Sequence, residues 1–298
     1  MAPQLCLGTA QFGLDYGVTN AAGQVGESEV ARILQAAAEA GIVWIDTAQA
    51  YGSAEAILGR NWPADHRFRV ISKLPAQGAE AFDAVCEAAW EQQFQRSLKR
   101  LGLSRLDSFL LHRPADLCRP DSDLLLAWLE SLRARGLVRR LGVSIYDSTD
   151  LDGLPLEHFQ VVQLPLSLYD QRLLDDGTIS RLRQAGVAVH ARSIYLQGLL
   201  LTPVEQWPDW VSPATRNHHQ KLTQQALSLN SSLMDLALGF ARAQYNLECI
   251  VVGVCSKSQL QELIHHWSLC SAYQLDYASE WALSDFSVID PRIWSQYK

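Results

Sequence analysis

The chain has 298 residues, 48% of them hydrophobic, and a formal net charge of −7. That length suits one large α/β domain over residues 1–298 better than several small ones. An acidic balance without a basic run argues against nucleic acid as a partner, and no apolar stretch approaches the roughly 20 residues a membrane helix needs. The N-terminal MAPQLCLGTA lacks a basic region followed by a long apolar run, so a cytoplasmic protein is expected. The six cysteines, at 6, 86, 118, 249, 255 and 270, form no C-x-x-C pair. They suit reduced thiols and argue against a zinc cluster or a disulfide frame.

In chain order, Leu5–Gly8 reads as a short strand and Thr9–Gly17 as a loop rich in glycine and aromatics, including Phe12 and Tyr16. Glu27–Ala40 is expected to be helical, with Val30, Ile33, Leu34 and Ala37 on one face. The stretch IVWIDTAQAYGSAE, Ile42–Glu55, starts apolar and turns polar at Asp46, the pattern of a buried strand emptying into a loop. Gly52 lets the chain turn, and Ser53 is a candidate cap for a helix over Ala54–Leu58. Trp62 and Pro63 fall in the return loop and read as packing. Phe68–Ser72 is the next strand, with Lys73 at its end, and Glu80–Leu101 a long helix capped by Gly102.

Ser108–Leu111 is a strand ending at His112, and Asp121 is a candidate cap for a helix over Leu124–Arg135 that stops at Gly136. Leu141–Ser144 and Val161–Leu164, which carries Gln163, are the fifth and sixth strands. Leu173–Ala185 is read as one helix, and Val187–Ser193 as a strand with Arg192 and Ser193 at its end. Ser212–Ala243 is mostly helical in two pieces, Glu248–Gly253 is the eighth strand, and Ser256 caps a helix to Trp267. A tail from Ser268 carries Trp281 and Trp294. Eight strands alternating with helices, at a spacing of roughly 35 residues per unit, read as an α/β chain folded into a (β/α)8 TIM barrel. An open doubly wound sheet would want G-x-G-x-x-G after the first strand, and GTAQFG at Gly8–Gly13 is not that pattern.

Three successive strands thus end in Asp46, Lys73 and His112, with Tyr51 one loop further on. Taken singly, each suits a structural role: a capping Asp, a half-buried Tyr, a lone His. In a parallel barrel all strand C-termini share one face, so the four converge. A phenol has a reference pKa of about 10, which a nearby ammonium lowers. Lys73 is expected to supply that charge, Asp46 to hold Lys73, and His112 to hydrogen-bond a substrate oxygen. The set suits protonation of a carbonyl oxygen while hydride reaches its carbon. Side chains donate no hydride, so a nicotinamide cofactor is implied. The adjacent pairs His218–His219 and His265–His266 point about 100° apart on a helix and make no shared ligand face, so no metal requirement is expected.

These stretches resemble the aldo-keto reductase superfamily, as a bacterial member, over essentially the whole chain. DTAQAYGSAE is similar to that family's D-T-A-x-x-Y-G-x-x-E signature. SKLP at Ser72–Pro75 and LLHRP at Leu110–Pro114 match its lysine and histidine strand ends, and GVSIYD at Gly142–Asp147 and VVQLPLSLYDQR at Val161–Arg172 its next two. The resemblance implies a barrel without a Rossmann domain and NADPH, with NADH not excluded, extended over the C-terminal face. It implies a catalytic set of Asp46, Tyr51, Lys73 and His112, with Tyr51 as general acid. Ser144 and Gln163 would then hold the nicotinamide carboxamide. Further cofactor contacts are implied at Thr9, Asp46, Arg192, Ser193, Leu196, Gly198, Gly253, Ser256, Lys257, Gln259 and Glu262.

The chain departs from the pattern in its second half. Arg192, in HARSIYLQG, stands where many members carry an aromatic that stacks on the nicotinamide. In VVGVCSKSQLQEL, Leu263 replaces a usual Asn and Cys255 a frequent Arg. Ser256 or Lys257 is then the candidate to meet a 2′-phosphate at a helix N-terminus; a solvated surface lysine is the alternative for Lys257. Phe12, Leu14 and Tyr16 form one candidate substrate wall, and the tail with Trp281 and Trp294 another. The R-S-x-x-L-Q-G-L-L-L stretch resembles bacterial reductases, some acting on sugar-like carbonyls. Reduction of a small aldehyde or ketone is expected. The alternatives are a nucleotide-binding regulatory subunit with a reductase-like fold and a lyase using Lys73 as a Schiff base, which Asp46 disfavours by raising the lysine pKa.

Overall fold

A computed structural model describes residues 2–270 and 279–297. Eight strands form a closed parallel barrel in sequence order: β1 Gln4–Gly8, β2 Trp44–Asp46, β3 Arg69–Leu74, β4 Leu106–Leu111, β5 Val138–Ser144, β6 Val161–Pro165, β7 Ala188–Arg192 and β8 Cys249–Gly253. The barrel closes where β8 pairs with β1, Gln4 opposite Cys249 and Gly8 opposite Gly253. Strands covered on both faces need apolar side chains on both, which is why they read as short apolar runs.

The two-residue period of each strand separates two cores. Cys6, Trp44, Ile71, Leu110, Val161 and Cys249 pack inside the barrel. Their neighbours Leu7, Ile45, Val70, Phe109, Val162 and Ile250 face outward into a larger core shared with the helices. The same parity, carried two residues on, puts Asp46, Lys73, His112 and Gln163 on the barrel interior at its C-terminal mouth. Arg192 follows His190 in the same way.

The helices are α1 Ala10–Gly13, α2 Glu27–Glu39, α3 Ala54–Arg60, α4 Ala84–Leu101, α5 Ser122–Ala134, α6 Arg172–Asp175, α7 Thr178–Gln184, α8 Pro213–Ser228, α9 Leu233–Ala243, α10 Lys257–Leu269 and α11 Phe286–Ile289. The apolar face expected for α2 is buried as read. Three local expectations are corrected. The helix expected from Glu80 begins at Ala84, because Asp83 caps it by accepting from the Cys86 N–H at 2.9 Å; it ends at Gly102 in the left-handed region, as expected. The single helix expected over Leu173–Ala185 is two, α6 and α7, broken at Gly177, whose φ of 78° resets the chain direction. Ser53 and Asp121 stand at N-cap positions without capping: the Ser53 hydroxyl accepts from Gln24 Nε2 at 3.0 Å instead, and Asp121 is left-handed.

Candidate active site

Lys73 and Asp46 are almost wholly buried, at 1% and 3% exposure. Lys73 Nζ donates to Asp46 Oδ1 at 2.8 Å, to Oδ2 at 2.7 Å and to the Thr47 carbonyl at 3.0 Å. An ammonium has three donors, so none remains for Tyr51. Asp46 Oδ1 also accepts from Gln163 Nε2 at 2.8 Å, which ties β2, β3 and β6 together at the barrel mouth. Thr9 donates its hydroxyl to the Asp46 carbonyl at 2.9 Å.

Tyr51 is held by close packing of its loop on α1. A methyl group at Gly13 would run into the Tyr51 carbonyl oxygen, and Gly52 takes a φ of 53° to turn the chain into α3. Lys73 Nζ lies 5.1 Å from the Tyr51 ring centroid, and the His112 ring stands edge-on to it at 6.1 Å. Among the described residues, the Tyr51 hydroxyl makes no hydrogen bond.

The electrostatics differ from the sequence expectation. Burial, then the Asp46 charge, pushes the Tyr51 phenol well above its ordinary range, and the cation that opposes this is Arg192 rather than Lys73. His112 is pushed down to about 4, first by burial and then by Lys73 and Arg192. It is therefore neutral near pH 7.

These groups open onto a cavity of about 1060 Å³ across the C-terminal mouth. Tyr51, His112, Ser144, Gln163 and Arg192 lie at one end and Gln259, Glu262, Leu263 and His266 at the other. Of the cofactor positions expected from sequence, Thr9, Asp46, Ser144, Gln163, Arg192, Ser193, Gly198, Gly253, Gln259 and Glu262 line it. Leu196, Ser256 and Lys257 are not among its lining residues, and Leu196 is fully buried in the core. Gln163 Oε1 is buried without a partner. Arg192 Nη2 donates to the Ile145 carbonyl at 2.9 Å, and its guanidinium lies 4.0 Å over the Tyr146 ring. Among the described residues no carboxylate pairs with Arg192; the rim contacts it makes are to the Ile145 carbonyl, the Ser193 hydroxyl and the Tyr146 ring.

The substrate walls are partly corrected. Leu14 and Tyr16 line the cavity, whereas Phe12 is fully buried in the core. Neither tail tryptophan reaches the cavity: Trp281 stands 5.5 Å from His218 and Trp294 5.8 Å from Trp210. Trp62 packs as expected, donating to the Leu101 carbonyl at 2.7 Å. Sequence reasoning missed Tyr146, Tyr195 and His266, all on the cavity wall. Tyr146 had a signal, since it lies two residues past the strand end at Ser144; His266, in the last turn of α10, was weighed only as half of a histidine pair. Among the described residues, no group of three or more His, Cys, Asp or Glu is placed to hold a metal ion, and no helix is long and apolar enough to cross a membrane.

Comparison with known proteins agrees with this geometry. A family model described as the Aldo/keto reductase family matches residues 4–280. An aldo-keto reductase of Mycolicibacterium smegmatis is 35% identical over 139 residues, 44% of each chain; the match thus spans under half the length of that relative. A protein named L-galactose dehydrogenase from Arabidopsis thaliana is 27% identical over 262 residues, 80% of this chain and 78% of that one. A solved aldo-keto reductase from Bacillus halodurans, in its holo form, superposes with a TM-score of 0.71 at 21% identity, covering 89% of this chain and 86% of that one. The family model covers most of the chain and the fold agrees with it, and the chain belongs to the aldo/keto reductase family.

Proposed function

We propose that this chain, as one domain over residues 1–298, is an NAD(P)H-dependent reductase that converts a small aldehyde or ketone to the alcohol, with Tyr51 as the proton donor. The observation that carries the reading is the Tyr51 hydroxyl, free of protein hydrogen bonds, at the cavity end where Asp46, Lys73 and His112 converge. The cavity suits a nicotinamide dinucleotide. The orphaned Gln163 Oε1 is an acceptor for a carboxamide N–H, and Ser144 beside it in register is a donor for the carboxamide oxygen. Bound there, the reduced nicotinamide supplies hydride to the carbonyl carbon.

The residues of the chain do the rest. Neutral His112 donates an N–H to the carbonyl oxygen and sets its position. The raised phenol of Tyr51 stays protonated near neutrality, which is the form needed to give its proton to the oxygen as negative charge develops there. Arg192 then faces the phenolate until solvent returns a proton. Apo contacts of this kind tighten in the substrate complex. The likeness to a protein named L-galactose dehydrogenase supports including sugars among candidate substrates. A Schiff-base lyase is disfavoured, because Lys73 Nζ is triply hydrogen-bonded and away from the cavity wall. The test is loss of NADH or NADPH absorbance with a panel of aldehydes, sugars and ketones, in wild type and Tyr51→Phe. Turnover that is absent for every substrate, with a nucleotide nevertheless bound, would favour a regulatory nucleotide-binding subunit.

A further inference from the structure

The end of the cavity remote from Tyr51 lies between the N-termini of two helices. Ser232, Leu233 and Met234 at the start of α9 form one side, and Cys255, Gln259 and Glu262 at the start of α10 the other. A helix N-terminus attracts a phosphate through free backbone N–H groups. Here the chain's own side chains take several of them, while among the described residues none takes the Leu233, Met234 or Ser258 N–H. At α10 the Cys255 N–H donates to Gln259 Oε1 at 2.7 Å, the Lys257 N–H to Glu29 Oε1 at 2.6 Å, and the Gln259 N–H to Ser256 Oγ at 3.1 Å. At α9 the Ser232 N–H and hydroxyl both donate to Asp235 Oδ2, at 2.9 and 2.6 Å, and the Asp235 N–H returns to Ser232 Oγ.

The charges point the same way. A carboxylate stands at each helix start just off the cavity wall, Glu29 on the Lys257 N–H and Asp235 on the Ser232 N–H, and a third, Glu262, is on the wall itself. Among the described lining residues, Arg192 is the sole Lys or Arg, and it is at the opposite end. His266, the basic group at this end, is held by Asp235 Oδ1 at 2.6 Å. Arg32 is paired with Glu29, and its side chain is 66% exposed. Lys257 does not line the cavity.

Resting on the dinucleotide reading above, we infer that this end of the cavity is built for a ribose with a free 2′-hydroxyl, so that the cofactor is NADH rather than NADPH, with Glu29 closing the α10 N-terminus to a 2′-phosphate. A hydroxyl donates to a carboxylate such as Glu262; a phosphate dianion meets that carboxylate and, among the described lining residues at this end, no Lys or Arg to balance it, and selectivity follows from that repulsion.

Equilibrium titration of the full chain with NADH and with NADPH, followed by nucleotide fluorescence, tests this without any substrate. Wild type should bind NADH at least about tenfold more tightly, and Glu29→Ala, which removes the charge and frees the Lys257 N–H, should narrow the ratio by about threefold or more. Cys255→Arg, which places a cation on the wall without touching Glu29, should narrow it as well, and thermal melting verifies that both variants are folded. NADPH binding as tight as NADH in wild type overturns the inference while leaving the dinucleotide reading intact. An NADH preference that survives Glu29→Ala unchanged removes Glu29 as its source. Binding of neither nucleotide overturns the dinucleotide reading and this inference with it.

Discussion

The barrel interior holds two charged networks, one at each end, and they are finished differently. At the C-terminal mouth, Asp46, Lys73 and Gln163 bond to one another, yet Gln163 Oε1, the Tyr51 hydroxyl and the Arg192 charge are left facing a cavity. At the other end, Arg140 pairs with Asp107 at 3.0 Å and with Glu248 at 2.8 Å, and His190 meets Glu248 at 2.6 Å. Trp44 seals that end, with its Nε1 on Gln4 at 2.9 Å, the Arg140 guanidinium 5.0 Å from its ring centroid and the His190 ring at 5.6 Å. Two strands contribute to both, β2 through Trp44 and Asp46 and β7 through His190 and Arg192. Unlike charges that neutralise one another hold a barrel together; polar groups left over at a cavity are the ones available for chemistry.

The largest effect that tests this contrast is at Tyr51. Tyr51→Phe should lower kcat by about 10²–10⁴-fold, the usual worth of a general acid, with unfolding free energy close to wild type because no protein hydrogen bond is lost. Retention of more than about a tenth of wild-type turnover would make Tyr51 a spectator. At the opposite end, Glu248→Leu leaves His190 without its carboxylate and Arg140 with Asp107 alone, and should reduce stability by roughly 2–3 kcal/mol, leaving turnover per folded molecule unchanged. Lost turnover at undiminished stability, in urea unfolding and steady-state assays, would erase the division between the two ends.

The two networks also respond to pH with opposite sign. His112 titrates at about 4 in the folded chain, below an unfolded value of about 6.5. Between those values the unfolded chain binds a proton that the folded one does not, so stability falls as pH drops from about 6.5 toward 4. For His190, burial is outweighed by Cys249 and Glu248, and its value rises to about 9. Its contribution is fully present below about 6.5 and is lost as pH rises through about 9. His112→Gln should therefore flatten the acid limb of stability against pH, and His190→Gln the alkaline limb. A wild-type profile in both variants would separate these histidines from the pH response.

The smallest expected effect sharpens what the mouth does with its free cation. Arg192→Ala should weaken nucleotide binding by roughly threefold to fivefold, and Arg192→Tyr should restore most of it if the guanidinium acts as a flat stacking group. Weakening in both variants, reduced when salt is raised, would instead mark a charge contact. Unchanged dissociation constants in both would take Arg192 out of the cofactor site.

Sequence alone determined the strands, their parity and the residues at their ends, because a two-residue period and an apolar-to-polar switch are local properties of the chain. From these followed the barrel, the convergence of Asp46, Tyr51, Lys73 and His112, and the family. Tertiary structure decided which donors and charges are still free. Asp46 is held by Gln163, 117 residues away, and the N-terminus of α10 is taken by Glu29, 228 residues away. Burial and the Asp46 charge raise the Tyr51 phenol, with Arg192 as the opposing cation, and the tail tryptophans pack on α8 and its approach rather than over the site. Residue order fixes which face a side chain occupies; whether its hydrogen bonds and charge are already satisfied depends on partners that only the closed barrel brings within 3 Å.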